Sequence, residues 1–345
     1  MDTAASKDQE SPQLESQRRK ESLQAKFDQQ SAQGYLPFTN ELYFEQSNPI
    51  LRSGLFSVAK SGMRGIFAEW TEIFNLGAGS IYYKGPALTV DHEQVLGRLM
   101  LLARGRSLTK PIPLMASDVV KWLGLTDTGH SYKKARRILD DLSSAELRIA
   151  NKQALRRLYT LLTDKKNIST LPDGKFFQDF IENRFGPQLQ MIASALNDGE
   201  EDSSVDISLG FINSQTHNSR TRRILINLDP IMSIFFDGVN TTLVPFEVLD
   251  RCDRFGKRLL PFIASHRDGV WPIKLQNYHD LSGSTSNFDS SKRYFKHTMK
   301  KRLQAWEDDG IIEPGWQIAK NRDGEEVLSG LKLCEGLRLR SKLKD

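Results

Sequence analysis

Phe295, Met299, Leu303 and Trp306 recur at steps of four, four and three, the spacing that gathers apolar side chains on one stripe of a helix. The pattern predicts a long helix over residues 289–309, with Asp289, Ser290 and Ser291 as cap residues for its first turn. A shorter helix is expected at 275–281, joined to it by the polar turn Ser-Gly-Ser-Thr-Ser-Asn-Phe. Beyond the long helix a hairpin is expected, with turns at Pro314-Gly315 and Asn321-Arg-Asp-Gly324. Helix, turn, longer helix and hairpin is the order of a winged helix. In that fold the longer helix enters the major groove and the hairpin grips the backbone beside it.

The first half carries a similar pattern. Residues 91–103 have a helical period through Val95, Leu96, Leu99, Leu102 and Ala103. Ser117 is expected to cap a short helix at 118–123, which ends at Gly124. A polar turn at 126–130 leads to a helix at 131–143 that would bury Ala135, Ile138, Leu139 and Leu142. Strands are expected at 146–150, 205–212 and 223–228, the last two forming a hairpin with its tip at 213–222. In the second half, residues 245–266 match the opening helix through Phe246, Leu249, Phe255, Leu259, Leu260 and Ile263.

The expected fold is therefore α+β, with tandem winged-helix (helix-turn-helix) domains at 48–236 and 237–345. No close sequence repeat accompanies the shared pattern, so the duplication is one of element order. Residues 151–202 read as a helical insertion into the first domain, closed by the acidic loop Asn197-Asp-Gly-Glu-Glu-Asp202. Residues 1–47 read as a disordered, flexible N-terminal tail. Up to about residue 31 it is polar, with Phe27 the only aromatic, and it turns abruptly aromatic at Tyr35, Phe38, Tyr43 and Phe44.

Charge sharpens this picture locally. The chain has 345 residues, a net charge of +5 and 48 Lys or Arg, too small an excess to mean much by itself. Six Lys or Arg nevertheless fall among the eleven residues from Lys292 to Arg302. Lys292, Lys296 and Lys300 form a row, with Arg293, His297 and Lys301 beside it. Such a row would meet phosphates and give salt-dependent affinity. Base reading is expected from Ser290, Ser291, Arg293, Tyr294 and His297 in the first turns, with Arg293 set to read a guanine edge. In the first half Ser131, Lys133, Lys134, Arg136 and Arg137 would play a weaker positioning role, with Arg220 and Arg222 at the hairpin tip. A solvated basic face is the plain alternative, and position after a helix-turn-helix favours DNA.

Enzymatic readings lack a site. No Gly-x-x-x-x-Gly-Lys-Ser/Thr phosphate loop is present, and Gly77-Ala-Gly-Ser80 lacks the third glycine of a dinucleotide fingerprint. The six histidines have no metal-ligand spacing, and Asp140-Asp141 and Asp308-Asp309 read as solvated helix ends. No catalytic residue, metal or cofactor is expected. Cys252 and Cys334 read as reduced thiols of a cytoplasmic protein. Neither a signal-peptide core nor a membrane-spanning apolar run is visible, so no membrane contact is expected.

Several segments resemble TrfA-type plasmid replication initiators. They are Phe236-Asp-Gly-Val-Asn, Leu243-Val-Pro, Arg258 through Phe262, Ser265-His-Arg-Asp, Pro272-Ile-Lys-Leu275 and Arg52-Ser-Gly-Leu-Phe56. The similarity runs over roughly residues 33–320 and is strongest at 234–316, whereas the 151–202 insertion departs from the family pattern. The resemblance implies a protein that binds double-stranded origin repeats (iterons), helps open the adjacent DNA, and does so without hydrolysing ATP. It also implies contacts with the host sliding clamp, replicative helicase and initiator protein, and a monomer–dimer equilibrium. Gln33, Leu36 and Phe38 fit the Gln-x-x-Leu-x-Phe form of clamp-binding peptides, and similar initiators carry such a peptide at this point. Such a protein would be associated with the nucleoid or plasmid. A winged-helix transcriptional regulator or autorepressor without a replication role would share the same groove chemistry and stays open.

Overall fold

The computed structural model describes residues 43–59, 65–76, 80–103, 111–150, 207–218, 220–229, 241–266, 268–284 and 286–334, with scattered positions between 159 and 194. Gln33, Leu36, Phe38, nearly all of the 151–202 insertion and its acidic loop lie outside the described residues.

The first elements are β1 (Tyr43–Ser47), α1 (Asn48–Leu51), β2 (Ile66–Ile73) and β3 (Ser80–Pro86). Then come α2 (Val90–Ala103), β4 (Ile112–Met115), α3 (Ala116–Trp122), α4 (Gly129–Ser143) and β5 (Glu146–Ala150). Strands β6 (Ile207–Gly210), β7 (Ile212–Asn218) and β8 (Arg223–Leu228) complete the first half. The second half holds β9 (Thr241–Pro245), α5 (Phe246–Arg251), α6 (Arg254–Ala264), β10 (Ile273–Lys274) and α7 (Leu275–Leu281). It closes with α8 (Phe288–Asp308), β11 (Gln317–Lys320) and β12 (Glu326–Ser329).

The two halves share an element order that pairing extends to three dimensions. In the first, α2, β4, α3 and α4 are followed by the hairpin β7–β8, and the sheet order is β4-β8-β7. In the second, α6, β10, α7 and α8 are followed by β11–β12, and the order is β10-β12-β11. In both sheets the strand that follows the first helix pairs with the last strand, so the hairpin is anchored beside the long helix. Each half has its own core. Leu96, Leu99, Val119, Ile138, Leu139, Leu142 and Ile226 lie in the first, and Leu260, Phe262, Leu275, Leu303 and Leu328 in the second. The stripe on α8 lies as its spacing requires: Met299, Leu303 and Trp306 are buried, and Phe295 packs against Phe255 and His279 at ring distances of 5.6 and 5.5 Å.

A second sheet, β2-β3-β5-β6, belongs only to the first half. The single strand expected at 205–212 is two strands, because buried Phe211 turns the chain from this sheet into the hairpin sheet. The helix expected at 245–266 is also two. It breaks at Cys252-Asp253, and Asp253 caps α6 by accepting the Gly256 N–H at 2.7 Å. Breaking there lets the second piece start with a satisfied first turn.

The N-terminal tail was expected to run through residue 47, yet Tyr43–Ser47 forms β1. It pairs antiparallel with β9 from Tyr43↔Pro245 to Ser47↔Thr241. Phe44 is buried in the second core, with its ring 6.0 Å from Phe246. The fit depends on Gly97 of α2, where a Cβ would lie 2.4 Å from the Phe44 ring. Only glycine permits that approach.

The halves meet where α2 faces α6. Arg258 of α6 is 1% exposed, and its guanidinium lies 3.2 Å from the Glu93 carboxylate of α2. It also donates to the backbone carbonyls of Ile50 and Leu51, each at 3.0 Å, and to Ser53. Burial pushes the Arg258 pKa down and that of Glu93 up, and their mutual attraction offsets part of each shift. Around this pair Gln94 donates to Asp250 at 3.0 Å, Arg98 pairs with Asp250 at 3.1 Å, and Lys257 donates to Gln94 at 3.1 Å.

Candidate nucleic-acid interface

Helix α8 is built for exposure on one side. Its N-cap is Asn287, which accepts the Asp289 and Ser290 N–H groups at 2.8 and 3.4 Å. Asp289, Ser290 and Ser291 therefore lie inside the first turn and are not the cap. The hydroxyls of Ser290 and Ser291 donate back to the Asn287 carbonyl at 2.9 and 3.0 Å. Ser290 is exposed and Ser291 half-buried.

The six cations of this helix divide into two sets of three. Arg293, Lys300 and Lys301 are exposed, and no hydrogen bond or ion pair engages them among the described residues. Tyr294, at 76% exposed, and His297 share their side of the helix. The other three face the body. Lys296 pairs with Glu326 on β12, and Arg302 pairs with Asp253. Lys292 lies 5.9 Å from the centre of the Phe288 ring and lowers the pKa of Glu325, after the larger effects of Lys274 and Asn321. The expected row Lys292, Lys296, Lys300 is thus divided. A step of four overshoots the 3.6-residue turn by about 40°, so such a row slants around the helix rather than staying on one face.

The hairpin is held against the helix by the same charges. Lys274 of β10 pairs with Glu325 at 2.7 Å, and Asn321 shapes the tip by accepting the N–H groups of Asp323 and Glu325 at 3.0 and 2.8 Å. Gly324 completes the turn with φ of 78°, a backbone region that glycine adopts without steric cost. Acids of the hairpin thus occupy some of the cations that the composition makes conspicuous.

In the first half α4 is capped by Thr128, whose hydroxyl accepts the Ser131 N–H at 3.3 Å and lies 3.1 Å from the Ser131 hydroxyl. Ser131 is buried, so its expected role as a DNA contact is corrected to a capping partner. Lys134 is also engaged, 2.8 Å from Asp91, and Arg137 lies 4.0 Å from Asp141. Lys133 and Arg136 are exposed, as are Arg220 and Arg222 at the hairpin tip. Asp140 and Asp141 were expected as solvated: Asp140 is exposed and accepts from Gln215 at 2.6 Å, whereas Asp141 is half-buried and contacts His92 at 3.1 Å.

Between the N-terminus of α4 and the hairpin lies a cleft of about 490 Å³, lined in part by Thr128, Tyr132, Arg136, His217 and Arg222. Desolvation lowers the His217 pKa and the Arg136 charge lowers it further, against an opposing effect of Asp140. Tyr132 and His217 were not singled out in the sequence, because only the pairing of β7 with β8 brings His217 beside Tyr132 of α4.

Among the described residues no group of three or more His, Cys, Asp or Glu could hold a metal ion. No described helix is long and apolar enough to cross a membrane. Both cysteines are half-buried, and burial pushes the Cys252 thiol up to about 11.

No family model matches the chain, and no curated protein does. Among solved structures, a selenomethionine derivative of domains 2 and 3 of RctB is similar at 11% identity and a TM-score of 0.46, over 80% of this chain and 94% of that one. A second structure of RctB domains 2–3 is similar at 11% identity and 0.44, over 81% and 95%. The Pi initiator protein in complex with iteron DNA is similar at 11% identity and 0.39, over 86% and 100%.

Proposed function

We propose that this chain is a sequence-specific DNA-binding replication initiator built from two tandem winged-helix units. The observation that carries the reading is the free face of α8, where Arg293, Tyr294, His297, Lys300 and Lys301 project beside an anchored hairpin. A cationic face clear of its own protein can meet phosphates, and the polar side chains of its first turns can meet base edges. The shared element and strand order of the two halves supports two such readers rather than one.

In this reading α8 enters a major groove with Arg293 on a guanine edge and Lys300 and Lys301 on phosphate. Helix α4 binds a neighbouring segment through Lys133 and Arg136, with Arg220 and Arg222 on the flanking backbone. The residues that resemble TrfA-type initiators favour origin repeats as the target, and Gln33, Leu36 and Phe38 favour the sliding clamp as one host partner. Origin opening, contacts with the host helicase and initiator protein, and a monomer–dimer equilibrium belong to the same proposal. The protein acts by binding, without catalysis, metal or cofactor, in the cytoplasm.

The test is fluorescence anisotropy on directly repeated DNA from the encoding replicon, across a salt series and against a scrambled duplex. A preference of ~10³ or more for the repeat is expected. Equal, steeply salt-dependent binding to both duplexes would reduce the protein to a non-specific DNA coat. Tight binding only to a promoter operator would make it a regulator.

A further inference from the structure

Five side chains of alternating charge run in a line from α4 to α8. Lys134 Nζ of α4 lies 2.8 Å from Asp91 Oδ2 in the first turn of α2. Asp91 Oδ1 lies 2.6 Å from Arg254 Nη1 in the first turn of α6. Arg254 is fixed in turn by the Val58 and Ala59 carbonyls, at 3.0 and 2.7 Å. Its neighbour Asp253 holds the N-terminus of α6 with one carboxylate oxygen and Arg302 of α8 with the other. The Arg302 guanidinium lies 4.8 Å from the centre of the Phe255 ring, which limits its freedom further. Both recognition-helix candidates are therefore tied to the same turn of α6.

An isolated surface pair fixes little, but four of these five groups are largely withdrawn from water, Asp253 alone being mostly exposed at 60%, and the line is bonded at several points. The Asp91 side chain is 12% exposed. Burial raises its pKa, yet Lys134 and Arg254 together hold it below the usual carboxylate value. The Arg254–Asp91 and Arg302–Asp253 contacts are charged hydrogen bonds, and Lys134 adds an ion pair to Asp91. Charged hydrogen bonds are directional and select one mutual orientation where apolar surfaces can slide.

We infer that the line Lys134–Asp91–Arg254, continued by Asp253–Arg302, is a register pin that fixes α4 relative to α8 and so sets the number of base pairs between the segments the two helices read. This rests on the DNA-binding reading above. Two extra base pairs displace one segment from the other by about 7 Å and rotate it by about 70°. A pinned pair of helices cannot follow such a change, and the second contact is lost. Lys134 thus acts through Asp91 as a positioning residue and is not a phosphate contact.

Two measurements test the pin on the full chain, using Asp91→Asn, Lys134→Gln and the conservative Lys134→Arg. The first uses no DNA. Spin labels at Lys133→Cys and Lys300→Cys, with Cys252 and Cys334 replaced by serine, report the α4–α8 distance by pulsed electron resonance. A single narrow distribution is expected for the parent and Lys134→Arg, and a broadened one for Asp91→Asn and Lys134→Gln. Equal widths in all four would overturn the pin, whatever the DNA result.

The second inserts two base pairs between the segments protected in a hydroxyl-radical footprint of the repeat. The parent should lose about tenfold or more in affinity, and Lys134→Gln less than about threefold, with its salt slope unchanged. Equal losses would overturn the proposal, and a shallower salt slope would return Lys134 to phosphate binding. If the parent has no preference for the repeat at all, the DNA reading fails and takes the spacing claim with it, while the distance measurement still judges the pin.

Discussion

Helices α4 and α8 hold the same place in the two halves, but they use their cations differently. On α4, Lys134 is committed to Asp91 and Arg137 leans on Asp141, leaving Lys133 and Arg136 outward. On α8 three cations stay clear of the protein, flanked by exposed Tyr294 and His297. In the proposed reading the first half joins the molecule together and contributes a weaker contact, while the second half presents a surface. A density of Lys and Arg along a helix therefore says less than which of them have partners at home.

The comparison depends first on the junction between the halves. Arg258→Met leaves Glu93 buried opposite no charge, and a destabilisation of about 3–5 kcal/mol is expected. Urea unfolding would measure it, and Glu93→Gln in the same chain should recover part of the loss. An additive double variant would show that the pair does not act as a unit.

Next comes the contrast in reading. Arg293→Ala should weaken binding to the repeat by about 1–3 kcal/mol and affect a scrambled duplex less. The same change at Lys133 should weaken both duplexes alike. Reversed results would exchange the roles of α4 and α8.

Within α8 the contrast lies between Lys300 and Lys296. Lys300→Ala should reduce the slope of log affinity against log salt by about one, since it removes one phosphate contact. Lys296→Ala should leave the slope nearly unchanged because Lys296 is paired with Glu326. Equal slopes for both variants would erase the division of the helix into free and engaged cations.

The last contrast concerns acid. His266 is buried beneath Trp271, with ring centres 4.5 Å apart, and burial lowers its pKa from 6.5 to about 4. A neutral imidazole favoured by folding contributes stability that is fully present above pH 6.5 and is lost as pH falls toward 4. Urea midpoints between pH 7 and 4 should show this loss, and His266→Gln should remove that part of it.

Much of the fold was legible where its signals are local. The helix at Leu275–Leu281, the strand at Arg223–Leu228 and the stripe through Met299, Leu303 and Trp306 depend on spacing and nearby turn residues. What escaped was set by distant partners. Glu326 neutralises Lys296 from 30 positions away, and Asp91 meets Arg254 from 163. Ser131 looked like a polar residue at a helix start, and only its burial behind Thr128 removed it from the interface. Periodicity gives a side chain its direction along an element, but the neighbour it meets is decided by topology.

The pairing of β1 with β9 bears on the order in which the molecule can be completed. Phe44 and Val244, 200 positions apart (44 to 244), sit opposite each other. During synthesis the first half emerges with its own core complete, whereas the second must await a strand made at the beginning. That strand must stay unclaimed until Thr241–Pro245 leaves the ribosome. Closure over so long a loop is slow, and its early edge is open to wrong pairings meanwhile. The docking of β1 is therefore expected late in maturation.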